Sequence, residues 1–132
     1  MKNNKYLKIF SCIFLFFVLF QNALTNDEKV LPDISGEWVA LNKNSEETET
    51  IIAFSQSGEN LDGTFVDSKD GKIIIEAPIT GYIDVKGNVL FDIYFGKVTS
   101  TNRLKLSSDN NSMIGTFTNN VENEGEVNLR RK

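Results

Sequence analysis

From Ile34 onward, apolar side chains fall at every second position in run after run. Ile34, Gly36, Trp38 and Ala40 share one parity, and Ile52, Phe54 and Gln56 share the next after the polar stretch NKNSEETE (42–49). Leu61, Gly63 and Phe65 follow, then Ile73 and Ile75 leading through Ala77-Pro78 into Ile79, Gly81 and Ile83. Val89, Phe91, Ile93 and Phe95 form another set, Leu104 with Leu106 the next, then Met113, Gly115 and Phe117, and finally Val127 with Leu129. Period-two alternation is the mark of a half-buried strand, and no window carries a sustained helical repeat. Turn-forming residues punctuate the runs at Ser57-Gly58-Glu59-Asn60, Lys86-Gly87-Asn88, Asp109-Asn110-Asn111 and Asn119 to Gly125. The pattern predicts eight strands near 34–42, 48–56, 60–66, 72–84 (bent at Pro78), 88–96, 100–107, 112–118 and 124–131.

Short connections make sequence neighbours sheet neighbours. With an even number of strands the first and last run antiparallel and can pair, which removes both sticky edges. The expected fold is therefore all-β, an eight-stranded antiparallel up-and-down β-barrel. Within it the outline apolar-x-Gly-x-apolar recurs as ISGEW (34–38), LDGTF (61–65), ITGYI (79–83) and MIGTF (113–117). Gly36, Gly63, Gly81 and Gly115 all take the inward parity, where glycine relieves crowding and permits a sharply coiled strand to bend.

The first residues follow another logic. Lys2, Lys5 and Lys8 precede an uninterrupted apolar run from Ile9 to Phe20, too short for an ordinary membrane span of ~20 residues and of the length of a secretory signal. Ala23 and Thr25 are small residues suited to signal peptidase, so residues 1–25 read as a signal peptide cleaved near Thr25–Asn26. The alternative is an uncleaved N-terminal anchor. Cys12 lies inside the run rather than after it, so it belongs to the signal and not to a lipidation site. Residues 26–33 then form an N-terminal arm and 34–132 the barrel domain, with a secreted or periplasmic location expected.

ISGEW, early in an eight-strand meander, resembles the Gly-X-Trp signature of the calycin group: lipocalins, avidins and bacterial metalloprotease inhibitors. The resemblance implies that Trp38 closes one end of the barrel and that a late-strand arginine packs across it. Arg131, which continues the parity of Val127 and Leu129, is the first choice, with Arg130 second. Gly36, Trp38 and Arg131 are thus the expected closure residues. SGEW, LDGTF, APITG and VLFDIYF also follow the order of the first five avidin strands, over about two-thirds of the mature chain. In avidins the position of Phe65 is normally a tyrosine that holds biotin, an asparagine usually stands where this chain has Ala40, and further tryptophans wall the pocket. Here Trp38 is the only tryptophan. The resemblance supports the barrel and speaks against biotin.

Charge and composition narrow the function. Three of the 14 basic residues and none of the 18 acidic ones lie in 1–25, so the net charge moves from −4 to −7 on cleavage. The remaining chain has no cysteine and no histidine, which removes disulfides, thiol and histidine catalysis and the usual zinc ligands. The negative charge argues against nucleic acid and anionic membranes, and no membrane span remains after signal removal. Glu37, Asp62, Asp84 and Asp92 point outward by parity, leaving no sheltered acid–base pair, so no enzyme activity is expected. Asp67-Ser-Lys-Asp70-Gly71 lacks the further ligands of a calcium loop and reads as a turn; no metal and no cofactor are expected. Asn110-Asn111-Ser112 fits a glycosylation acceptor.

The interior reads as mostly filled, with Gln56 the only clear inward polar group within the strands. A cavity, where one exists, is apolar and lies among Trp38, Phe54, Gln56, Phe65 and Phe91, the candidate ligand-binding residues. Val39, Leu41, Ile51, Val66, Ile74, Tyr82, Leu90, Tyr94 and Ile114 fall on the outer wall, where a contiguous patch would serve a homo-oligomer or a protein partner. Two functions remain: an exported non-enzymatic barrel for a small apolar ligand, or a protein-interaction module such as a calycin-type protease inhibitor that inserts the 26–33 arm.

Overall fold

The computed structural model describes residues 30–41 and 47–132; the expected signal peptide and the start of the expected arm lie outside these residues. Eight strands follow one another: β1 (Gly36–Ala40), β2 (Glu49–Ser57), β3 (Asn60–Lys69), β4 (Lys72–Ile83), β5 (Asn88–Phe95), β6 (Val98–Leu106), β7 (Ser112–Asn119) and β8 (Glu124–Arg131). Each pairs antiparallel with the next, and β1 pairs with β8 through Trp38↔Arg131, Val39↔Arg130 and Ala40↔Leu129, closing the barrel. The expected all-β, up-and-down topology is the one observed, and no strand of the cycle is left without two neighbours.

The alternation read from the sequence is the core. Ile52, Phe54, Leu61, Ile79, Ile83, Val89, Phe91, Ile93, Leu104, Leu106, Met113 and Leu129 are buried, joined by Ile34 and Trp38 from the first strand region. Three inward glycines sit where neighbouring backbone comes too close for any side chain. A Cβ at Gly63, Gly81 or Gly115 would lie 2.1, 2.2 or 1.9 Å from the carbonyl oxygen of Ala53, Leu90 or Arg103 on the adjoining strand. Gly36 differs from them. Open space surrounds it, and its φ of +113° is what requires glycine.

β4 departs from the simple pattern. It pairs with β3 along its whole length but with β5 only from Ile79 to Ile83. The reason lies in Pro78. Ile83 donates its N–H to Glu59 on the β3 side, so alternation turns the nitrogens of Tyr82, Thr80 and Pro78 toward β5. Proline has no N–H to give, and the ladder stops there. Beyond it the β3–β4 hairpin runs past the barrel rim to a turn in which Asp70 and Gly71 both have positive φ, the geometry of a tight two-residue hairpin turn. Of the motif at 67–71, read from the sequence as a turn, only Asp70 and Gly71 form it; Asp67 to Lys69 belong to β3.

The register of this hairpin shifts between Asp67 and Ser68. Asp67 pairs with Ile75 and Ser68 with Ile73, leaving Ile74 bulged. Ile73 and Ile75, expected to face inward, are instead 62% and 42% exposed, because both lie beyond the rim and the bulge breaks the parity between them. A groove opens between this half of β4 and the β5–β6 turn, lined by Ile74, Ile75, Glu76, Tyr94 and Phe95.

Candidate functional site

The two ends of the barrel are unlike. At one end, residues 32–35 lie across the opening and are bonded to it. Trp38 is fully buried beneath them and donates its indole N–H to the Ile34 carbonyl at 2.9 Å. The Arg131 guanidinium carbon stands 4.4 Å from the centroid of the Trp38 ring. Its N–H groups reach four acceptor contacts, all backbone carbonyls: Ser35 at 3.1 Å, Asp33 at 3.0 Å, and Asn110 at 3.2 and 3.1 Å. Arg130, the second choice, is exposed.

Gln56 belongs to the same seal. Its Oε1 accepts the Ile34 N–H at 2.9 Å, and its Nε2 donates to the carbonyls of Pro32 at 2.8 Å and Gly58 at 3.1 Å. The amide is thus occupied by backbone. The Asp33 carboxyl is held below the ordinary carboxylate range by hydrogen bonds from the Ser35 N–H and hydroxyl, with the Arg131 charge adding to the effect. Above the seal Phe54 and Phe91 meet edge to face at 5.2 Å, and both are buried.

At the opposite end, among the described residues, the barrel is open, and a cavity of about 390 Å³ enters it. Its apolar wall includes Ile52, Phe65, Ile93, Phe95 and Leu129. Phe65 and Phe95 meet edge to face at 5.0 Å, and Phe95 also lines the groove beside β4. Of the five candidate ligand-binding residues, the structure places Phe65 on this wall. Trp38, Phe54, Gln56 and Phe91 are brought together toward the sealed end, outside the cavity lining.

The polar residues of the cavity are ones the alternation could have found. Thr50, Ser100 and Asn102 are inward and buried, at 6%, 7% and 3% exposure, so Gln56 is not alone. Thr50 precedes Ile52 by one period, and Ser100 and Asn102 precede Leu104 by two and one. Extending each apolar alternation toward the strand end places all three inside. Asp67 continues Leu61, Gly63 and Phe65 in the same way and accepts the Thr50 hydroxyl at 3.1 Å. Glu126 stands exposed at the mouth.

Among the described residues no group of three or more acidic side chains is placed to hold a metal ion. The carboxyls of Asp84 and Asp109, like that of Asp33, are lowered by hydrogen bonds within turns; Asp33 and Asp109 are exposed and Asp84 is half-buried. No protein-family model matches the chain, and no curated protein matches it in sequence. The closed eight-stranded antiparallel barrel is consistent with a calycin-like fold.

Proposed function

We propose that this protein is an exported, non-enzymatic barrel of calycin type that carries a small, mainly apolar ligand in the cavity at its open end. The observation that supports the reading most is the inequality of the two ends. One is stopped by Trp38, Arg131 and Gln56, and the other admits a cavity of about 390 Å³ with an apolar wall and a few polar groups, the usual constitution of a small-molecule site. The shifted carboxyls do not suit general acid catalysis, because all three are lowered rather than raised. Export rests on the basic start and apolar run of residues 1–25.

The inhibitor reading has less support. Two of the arm's residues, Pro32 and Asp33, already give their carbonyls to Gln56 and Arg131, which shortens whatever could enter a partner's cleft. A partner or a second copy at the outer wall has its own observation in the exposed Ile73 and Ile74 beside the groove.

Titration with N-phenyl-1-naphthylamine, a neutral apolar dye that brightens out of water, tests the carrier reading. The dye should brighten with the wild-type protein. Val127→Trp, at a half-buried wall position, should weaken binding roughly tenfold or more while strand content is kept, since interiors resist added volume. No brightening, or equal binding by the variant, would remove the cavity as the site.

A further inference from the structure

Among the described residues the charged part of the cavity has one sign: Asp67 and Glu126 line it, and no lysine or arginine does. Thr50 commits its hydroxyl proton to one oxygen of Asp67. The second Asp67 oxygen accepts no hydrogen bond among the described residues.

Asn102 supplies a second, independent observation. It is 97% buried, being 3% exposed. Its amide nitrogen faces three oxygens: the Ser100 carbonyl at 3.2 Å, the Ser100 hydroxyl at 3.4 Å and the Phe91 carbonyl at 3.4 Å. That surrounding fixes which side of the amide is nitrogen. Its Oδ1 receives no donor among the described residues. Every side-chain nitrogen or oxygen that is sealed from solvent does have a partner among those residues. Oδ1 is therefore not sealed, and Asn102 is a wall residue of the cavity, so this acceptor opens onto the cavity. An acceptor that opens onto the cavity is met by water, and a ligand with a donor can take that water's place.

Among the described residues the cavity thus offers two carboxylates and the Asn102 carbonyl oxygen, while the donors of Thr50 and Asn102 are already taken and those of Ser100 and Asn128 are the neutral ones beside them. A carboxylate ligand, such as a fatty acid, would meet like charge. A protonated amine brings three donors and the opposite charge. The aromatic rings of Phe65, Phe95 and Phe117 along the wall are compatible with a cation. The cavity volume equals about 13 water volumes at ~30 Å³ each, which sets the ligand near the size of a medium-chain amine.

We propose that the open-end cavity selects a cationic amphiphile: an apolar body seated against Ile52, Ile93 and Leu129, with a protonated amine held by Asn102 Oδ1 and the Asp67 carboxylate. This rests on the carrier reading of the same cavity and adds the class of ligand to it.

Isothermal titration of the exported protein with octylamine, 1-octanol and octanoate tests it. Octylamine should bind best, octanol more weakly by roughly tenfold, and octanoate worst. Asp67→Asn keeps an acceptor for Thr50 and removes the charge. It should bring octylamine down to the level of octanol without changing octanol. Asp62→Asn, an exposed carboxylate facing outward on the same strand, should change neither, which separates the site from general attraction of amines to an acidic surface. Equal binding of all three ligands, or an unchanged amine preference in Asp67→Asn, would overturn the cationic head group while leaving an apolar carrier. Binding of none of the three and of no naphthylamine dye would overturn the cavity reading and this inference with it. Circular dichroism of each variant confirms that a loss is not unfolding.

Discussion

Arg131 directs its forked head at the carbonyls of Asp33, Ser35 and Asn110 while its guanidinium covers the face of Trp38. The three carbonyls come from two separate parts of the chain, so one side chain ties the 32–35 crossing to the β6–β7 turn. Lysine could supply the charge but not the planar fork. Arg131→Met retains the apolar stem and loses the hydrogen bonds, and should cost about 1–3 kcal/mol. For a domain of this size each kcal/mol moves the melting midpoint by roughly 4–8 °C. Trp38 is the only tryptophan in the chain, so its emission reports this end alone. It should shift to the red in Arg131→Met as water reaches the indole. Arg131→Lys should recover little of either property; full recovery would show that charge alone holds the seal.

The strands are joined by turns whose carboxyls act as acceptors, and this gives the elements a pH dependence. Asp84, at the β4–β5 connection, accepts from the Asn88 side chain at 2.8 Å and from the backbone N–H groups of Asn88 and Lys86 at 2.9 Å each. These bonds, those of Asn88 first, lower its carboxyl below the ordinary 3.8. A lowered folded-state value means that the carboxylate is bound better folded than unfolded. Its contribution is whole above 3.8 and is lost as the pH falls below that value toward the folded one. Asp84→Asn should therefore be less stable than wild type at neutral pH, and urea midpoints should show the gap narrowing as the pH falls below 3.8. A gap of constant size would mean that the oxygen's geometry matters and its charge does not.

The elements also show what the sequence could and could not carry. All eight strands were legible, because each is half-buried in a closed sheet and period two has no competitor in such a wall. Where β4 leaves the barrel, alternation ceased to mean inside and outside. Ile73, Ile74 and Ile75 are all exposed although no single strand face contains all three, and only the bulge and the rim explain them. The parity of Arg131 along β8 pointed to its contact with Trp38, whereas the backbone carbonyls that Arg131 and Gln56 bind carry no side-chain signal. The cavity was less so. Apolar patterning places Phe54, Phe65 and Phe91 inside but does not say at what height along the barrel axis, and Thr50, Ser100 and Asn102 were hidden by reading only apolar residues as inward.

At the scale of the whole molecule, the barrel is a cup with a bonded base, and the base fixes how the N-terminal segment can be used. Leu31 packs against the core, Ile34 is fully buried, and the Pro32 and Asp33 carbonyls are acceptors for Gln56 and Arg131. A chain beginning at Ile34, compared with one beginning at Leu31, loses the Leu31 contact, both carbonyls and the Asp33 side chain that accepts the Ser35 N–H. Gln56 and Arg131 each keep another acceptor, in Gly58 and Asn110, so the base should loosen rather than open. The expected cost is about 1–3 kcal/mol, seen as a lower melting midpoint and redder Trp38 emission. Dye affinity at the far end should change less than twofold, because no residue of the 31–34 segment lines the cavity. A segment built chiefly to enter a partner would behave in the opposite way: its removal would leave the melting midpoint unchanged, and the stability of the two chains would then favour an interaction arm over a barrel base.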